Sequence, residues 1–148
     1  MLVKLAISGG ADIDKPNKRV GSRTALHSAA TRDYPNVIRT GRARCCDFRM
    51  IDWTGTPLHL VAWRGSVHAT RALLALGADI MRPYGLGNTP AHCSATRGHG
   101  VRSLSLFMSA GFDPRTREKG QTILHTATEW DNIISVDYLL QQNVVGYP

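Results

Sequence analysis

Acidic side chains are scarce in this chain. Only 11 Asp and Glu stand against 18 Lys and Arg, leaving a formal net charge of +7. Cysteine is scarcer still, with Cys45, Cys46 and Cys93 alone. The count is odd, two of the three are adjacent, and no C-x-x-C occurs, which speaks against a disulfide framework. Adjacent cysteines pair only with strain. A reducing compartment, cytoplasm or nucleus, is the expectation, so the chain reads as intracellular. Long apolar runs are absent, and no segment has the length to span a bilayer. The opening "MLVKLAISGGADID" has one lysine and a short apolar run, with acids following at once. It lacks the apolar core and small-residue cleavage site of a secretory signal.

What the chain does hold is arginine, 14 of the 18 basic residues. The charge is uneven: residues 15–117 carry 16 basic and 5 acidic side chains, whereas residues 118–148 carry one lysine and four acids. Arginine presents a planar fork suited to carboxylates and phosphates. The plain alternative is a solvated surface that keeps the protein soluble.

One short pattern recurs along the chain. "TALHSAATR" begins at Thr24, "TPLHLVAWRG" at Thr56, "TPAHCSATRGHG" at Thr89 and "TILHTATEWDN" at Thr122. The intervals are 32, 33 and 33 residues, the mark of a stacked repeat array. Each copy closes on an apolar stretch and a turn, as in "RALLALGAD" at 71–79 and "SLFMSAGFD" at 105–113. Each threonine is placed to cap a helix, and Pro57 and Pro90 suit a first helical position. Gly65 and Gly98 would permit a tight turn, Leu73 and Leu74 or Leu106 and Phe107 would fill a second helix, and Gly77 and Gly111 would stop it.

The T-P-L-H-x-x-A pattern at 56–62, the Gly65 turn, the paired leucines Leu73 and Leu74, and Gly77-Ala78-Asp79 together resemble the ankyrin repeat family. The resemblance implies an all-α repeat solenoid of helix–turn–helix units with short β-hairpin fingers, their turns at Gly55, Gly87 and Gly120. It divides a single array over 1–148 into a half repeat at 1–14 and four units: 15–51, 52–83, 84–116 and 117–148. Unit 1 departs from the pattern. Gly41 and Arg42 stand where leucines belong and Cys45-Cys46 where Gly-Ala belongs, so its second helix is expected to be irregular around 36–46. The half repeat leaves Leu2, Leu5 and Ile7 without a partner helix, which makes a fragment of a larger multidomain protein one expectation.

The residues that invite a chemical reading fit scaffolding better. His27, His59, His92 and His125 share one repeat position, roughly 10 Å apart in a stacked array, too far to share a zinc ion. The expected role is structural, with each half-buried imidazole bonded to the threonine three residues before it: Thr24, Thr56, Thr89 and Thr122. His99 follows the inter-helix glycine, where the resemblance implies a link between units. No nucleophile arrangement surrounds the cysteines, and "YGLGNT" at 84–89 lacks the strand and helix of a phosphate loop. No catalytic, cofactor-binding or metal-binding residue is expected, and no enzyme activity.

The resemblance implies that partners meet the fingers and the inner face of the first helices. Two positions at the end of each first helix then face the groove: Thr31-Arg32, Trp63-Arg64, Thr96-Arg97 and Glu129-Trp130. Three arginines at one position predict a basic row of Arg32, Arg64 and Arg97, closed by Glu129 and Trp130. Trp53 and Lys119 join from the fingers. Tryptophan and arginine are enriched in binding hot spots; a helix-end arginine also simply favours the macrodipole. The expected function is protein–protein interaction, with an acidic or phosphorylated partner segment in a basic concave groove. A nucleic-acid-associated basic solenoid ranks below it, since no recognised motif accompanies the charge, and no membrane partner is expected.

Overall fold

The computed structural model describes residues 23–40, 55–85, 87–117 and 119–142, with isolated positions at 9, 10, 15, 17 and 19. The half repeat expected over 1–14 falls almost wholly outside them, as do Gly41 to Cys46 and Trp53. The helices come in pairs, in chain order: α1 (Ala25–Thr31) and α2 (Pro35–Thr40), α3 (Pro57–Arg64) and α4 (Val67–Ala75), α5 (Pro90–Ala95) and α6 (Val101–Ser109), α7 (Ile123–Glu129) and α8 (Ile133–Gln141). All eight are too short to be stable alone in water, so packing holds them.

They pack in two layers. First helices α1, α3, α5 and α7 contact one another in turn, and second helices α2, α4, α6 and α8 do the same behind them. Alanine makes the close approach possible: Ala30, Ala62 and Ala95 are fully buried at one position of successive first helices. The second layer contributes Ile38, Leu73, Leu104, Phe107 and Leu139, all fully buried. One continuous cluster joins both layers from Leu26 to Leu139, as expected where each unit buries its apolar face only against its neighbours.

The fingers are short hairpins, as expected: among the described residues they carry single antiparallel bridges, Asn17 with Arg23 and Tyr84 with Asn88. Lys119 and Gly120 both take positive φ, 49° and 83°, the geometry of a two-residue type I′ turn. The segment expected to be irregular from 36 is helical through Thr40, because Ile38 is fully buried against the array; its remainder lies outside the described residues.

A second departure, after the helical turn through Thr40, is a change of register in unit 3. Gly65 stands two residues before α4, but Gly98 stands three before α6, and the extra residue is taken up by a 3-10 turn at Gly98–Gly100. The buried Leu73 is therefore matched by Phe107, with Leu74 and Leu106 only half-buried. The turn is held tightly: a Cβ on Gly100 would lie 1.8 Å from the Ser94 carbonyl oxygen.

Candidate partner-binding groove

The histidine row and the groove are built by the same first helices. At each helix start the threonine hydroxyl lies 2.8 Å from the histidine Nδ1: Thr24 with His27, Thr56 with His59, Thr89 with His92 and Thr122 with His125. The Thr56 backbone N–H also donates to His59 Nδ1 at 3.1 Å, so that nitrogen is the acceptor and the proton resides on Nε2. Nε2 then donates to the Asn88 carbonyl, 3.1 Å away in the next unit. The Tyr84 ring meets the His59 imidazole edge-on, 5.0 Å between centroids.

Three of the four imidazoles are more enclosed than the half-burial expected of them, and the fourth is less. His27, His59 and His92 are buried, while His125 is exposed. Burial lowers His59 to about 4, with the Asn88 and Arg82 carbonyls opposing the shift. Burial likewise lowers His27 to about 4. Its Nε2 closes no hydrogen bond, although the Gly55 carbonyl is near enough to oppose part of the shift. Both rings are neutral near pH 7. Cys93 is buried in α5, which pushes its thiol up to about 12 and keeps the reactive thiolate from forming. Among the described residues no group of three His, Cys, Asp or Glu side chains is arranged to hold a metal ion.

Beyond the histidines, the first helices end on an open groove of about 500 Å³. Arg32, Arg64 and Arg97 all line it, with Trp63 between them. The Arg97 guanidinium lies 4.0 Å over the Trp63 ring centroid, a cation–π contact between adjacent units. Among the described residues none of the three guanidiniums has a carboxylate partner. Asp33 lines the groove as well, but its carboxylate is engaged, accepting the Ala69 backbone N–H at 2.8 Å.

Other residues of the predicted row are placed apart. Glu129 and Trp130 are exposed at the end of α7, and Lys119 is exposed at its finger turn; none of the three lines this groove. Trp53 lies outside the described residues. His99 is exposed and lines the groove, while its carbonyl packs against Gly65, where a Cβ would come within 2.2 Å of it. Asp33 and Ser66 were not foreseen as groove residues. The available signal for Asp33 was positional, since Asp33 stands where unit 2 has Gly65, and both take positive φ.

Two rows of short helices, the first row capped by Thr–His pairs and with left-handed turns at Gly65, Gly77 and Gly111, are accompanied by a direct family match. Ankyrin repeats, described as three copies, match residues 58–146. The chain belongs to the ankyrin repeat family. A search of the curated proteins gives no match. Ankyrin repeats are non-catalytic protein–protein interaction modules. In this ankyrin array, no helix among the described residues is long and apolar enough to cross a membrane.

Proposed function

We propose that this ankyrin array binds an acidic or phosphorylated segment of another protein along Arg32, Arg64 and Arg97. One observation carries the reading: three guanidiniums from three successive units line one groove, and no carboxylate among the described residues neutralises them. Carboxylates and phosphates pair with guanidinium groups through two parallel N–H···O bonds. Trp63, held under Arg97, supplies a fixed aromatic wall beside that charge, and such Trp–Arg neighbourhoods are where binding energy concentrates. Asp33, whose carboxylate accepts the Ala69 N–H, brings one negative charge against three guanidiniums, so the groove lining stays net positive. The array acts as a scaffold inside the cell, in keeping with cysteines that form no disulfide pattern.

The test is an array of acidic peptides and their serine- and threonine-phosphorylated forms, probed with the intact chain and with R32E/R64E/R97E. Binding at low salt that falls at least tenfold in the triple variant, with helical content unchanged, is the expected result. Equal binding by both proteins rejects the groove. Tighter binding to a DNA duplex than to any peptide would favour the nucleic-acid reading instead.

A further inference from the structure

Unit 4 carries apolar side chains where the other units carry polar ones. Counting from each capping threonine, Trp130 stands at the position of Arg32, Arg64 and Arg97. With the extra residue of unit 3 allowed for, Ile134 stands at that of Asn36, His68 and Arg102. Trp130 is 62% exposed, Ile134 59% and the adjoining Ile133 72%. Three units fill the Trp130 and Ile134 positions with polar residues, so the fold itself does not call for an apolar side chain at either. Arg64 and His68 are exposed although unit 2 has a neighbour on each side, so an adjoining unit does not cover this surface. Leu140 is different: its counterparts Leu74 and Met108 pack against the core, and it belongs to the scaffold.

The apolar side chains flank a turn that is firmly held. The chain passes from α7 to α8 through Asp131, at a φ of 52°, and the buried Asn132. Asn132 Nδ2 donates to the Ala95 carbonyl of unit 3 at 2.8 Å and to the Ser135 hydroxyl at 2.7 Å, while its Oδ1 accepts the Ser135 N–H. A surface fixed in this way loses little freedom when a partner seats on it. The charge around it has one sign. Glu129, Asp131 and Asp137 are exposed about the turn, and no Lys or Arg follows Lys119 in the sequence. Asp137 lies three residues after Ile134, on the same face of α8, and stands where units 1 and 2 have Arg39 and Arg71. Unit 4 thus reverses the charge of those units beside the apolar surface.

We propose that Trp130, Ile133 and Ile134 form a second docking surface, for a segment of another protein that carries large apolar side chains flanked by Lys or Arg. The apolar side chains cover the indole and the two isoleucines, and the flanking cations meet Glu129, Asp131 and Asp137. An apolar patch with a polar rim is the mark of an interaction site, and the sign of the rim selects the occupant. An acidic segment of the kind proposed for the arginine groove is repelled here, as is an anionic lipid surface. None of these residues lines that groove, so the two proposals stand or fall independently.

The probe is a set of short synthetic peptides holding Leu, Phe or Trp flanked by Lys and Arg, with matched peptides in which Glu replaces every Lys and Arg. Fluorescence anisotropy compares the intact chain with Trp130→Arg/Ile134→His, which installs residues that unit 2 already holds at these positions as Arg64 and His68. The basic peptides are expected to bind the parent and to bind the double variant at least about tenfold more weakly, with helical content unchanged. Asp137→Arg is expected to weaken binding and to flatten its salt dependence. In the parent, amide chemical shifts should move most at residues 129–137, a readout that does not depend on any variant folding. Equal binding of basic and Glu peptides overturns the proposal, as does a double variant that binds like the parent. Shifts centred on Arg32, Arg64 and Arg97 overturn it as well. Concentration-dependent self-association of the parent, abolished by Trp130→Arg/Ile134→His, overturns it in favour of a second copy.

Discussion

His59 lies between two leucines, and the imidazole joins two units because it is neutral. Nδ1 is held by Thr56 and Nε2 by the Asn88 carbonyl; protonation would place a second N–H against the Thr56 donor and a charge in a buried site. The consequence is a pH dependence. His27 and His59 titrate at about 4 when folded and near 6.5 when unfolded. As pH falls below 6.5 the unfolded chain takes up protons that the folded chain refuses. The stabilising contribution is therefore complete above pH 6.5 and lost progressively down to about pH 4, with each ring costing about 3 kcal/mol over the whole window. Urea midpoints between pH 7 and pH 4.5 should fall steeply, and less steeply in His59→Gln. A flat profile would contradict the assignment of these two rings as neutral.

At the scale of the element, helix α4 is stabilised by a group supplied from the preceding unit. The N-cap Ser66 makes no side-chain bond to its own helix α4. The cap is Asp33 instead, reaching from the turn after α1 to the Ala69 N–H. Its φ of 54° is one that most side chains avoid and Asp or Asn tolerates. Asp33→Ala should cost about 1–2 kcal/mol, losing the cap and straining the turn. Asp33→Asn, which keeps an acceptor oxygen and tolerates the same φ, should stay within about 0.5 kcal/mol of the parent. Equilibrium denaturation measures both; equal losses in the two variants would show that the cap contributes nothing. The alanine variant should also exchange the first-turn amides of α4 faster, although the substitution lies in another unit.

At the scale of the whole molecule, charge and stacking run along the same axis. The basic side chains concentrate before residue 118, the stretch from 118 on is net acidic, and three arginines without a carboxylate partner among the described residues share one groove. Like charges held together by the fold oppose it, and salt screens them over a Debye length of about 10 Å at 0.1 M. Raising NaCl from about 0.05 to 0.5 M should raise the thermal midpoint of the parent, and should do so less in Arg32→Gln/Arg64→Gln. A midpoint that falls with salt would mean that attractive pairs outweigh this repulsion.

The sequence by itself determined the family and the helical architecture. Period, Thr–His pairing, Pro57 and Pro90 at helix starts and the Gly77 and Gly111 stops are local features, each repeated often enough to be read without coordinates. It also singled out Arg32, Arg64 and Arg97, because a shared repeat position implies a shared face. Tertiary structure decided the rest. Counting from Thr89 cannot reveal that the Gly98–Gly100 turn absorbs a residue and makes Phe107, not Leu106, the counterpart of Leu73. Nor does equal spacing reveal that His125 differs from His27, His59 and His92, since burial depends on which unit lies over a ring. The separation of Glu129 and Trp130 from the arginine groove, the Arg97–Trp63 contact and the Asp33 cap have the same origin. A repeat fixes which side chains are equivalent, while their surroundings are set by neighbouring units that differ along the array.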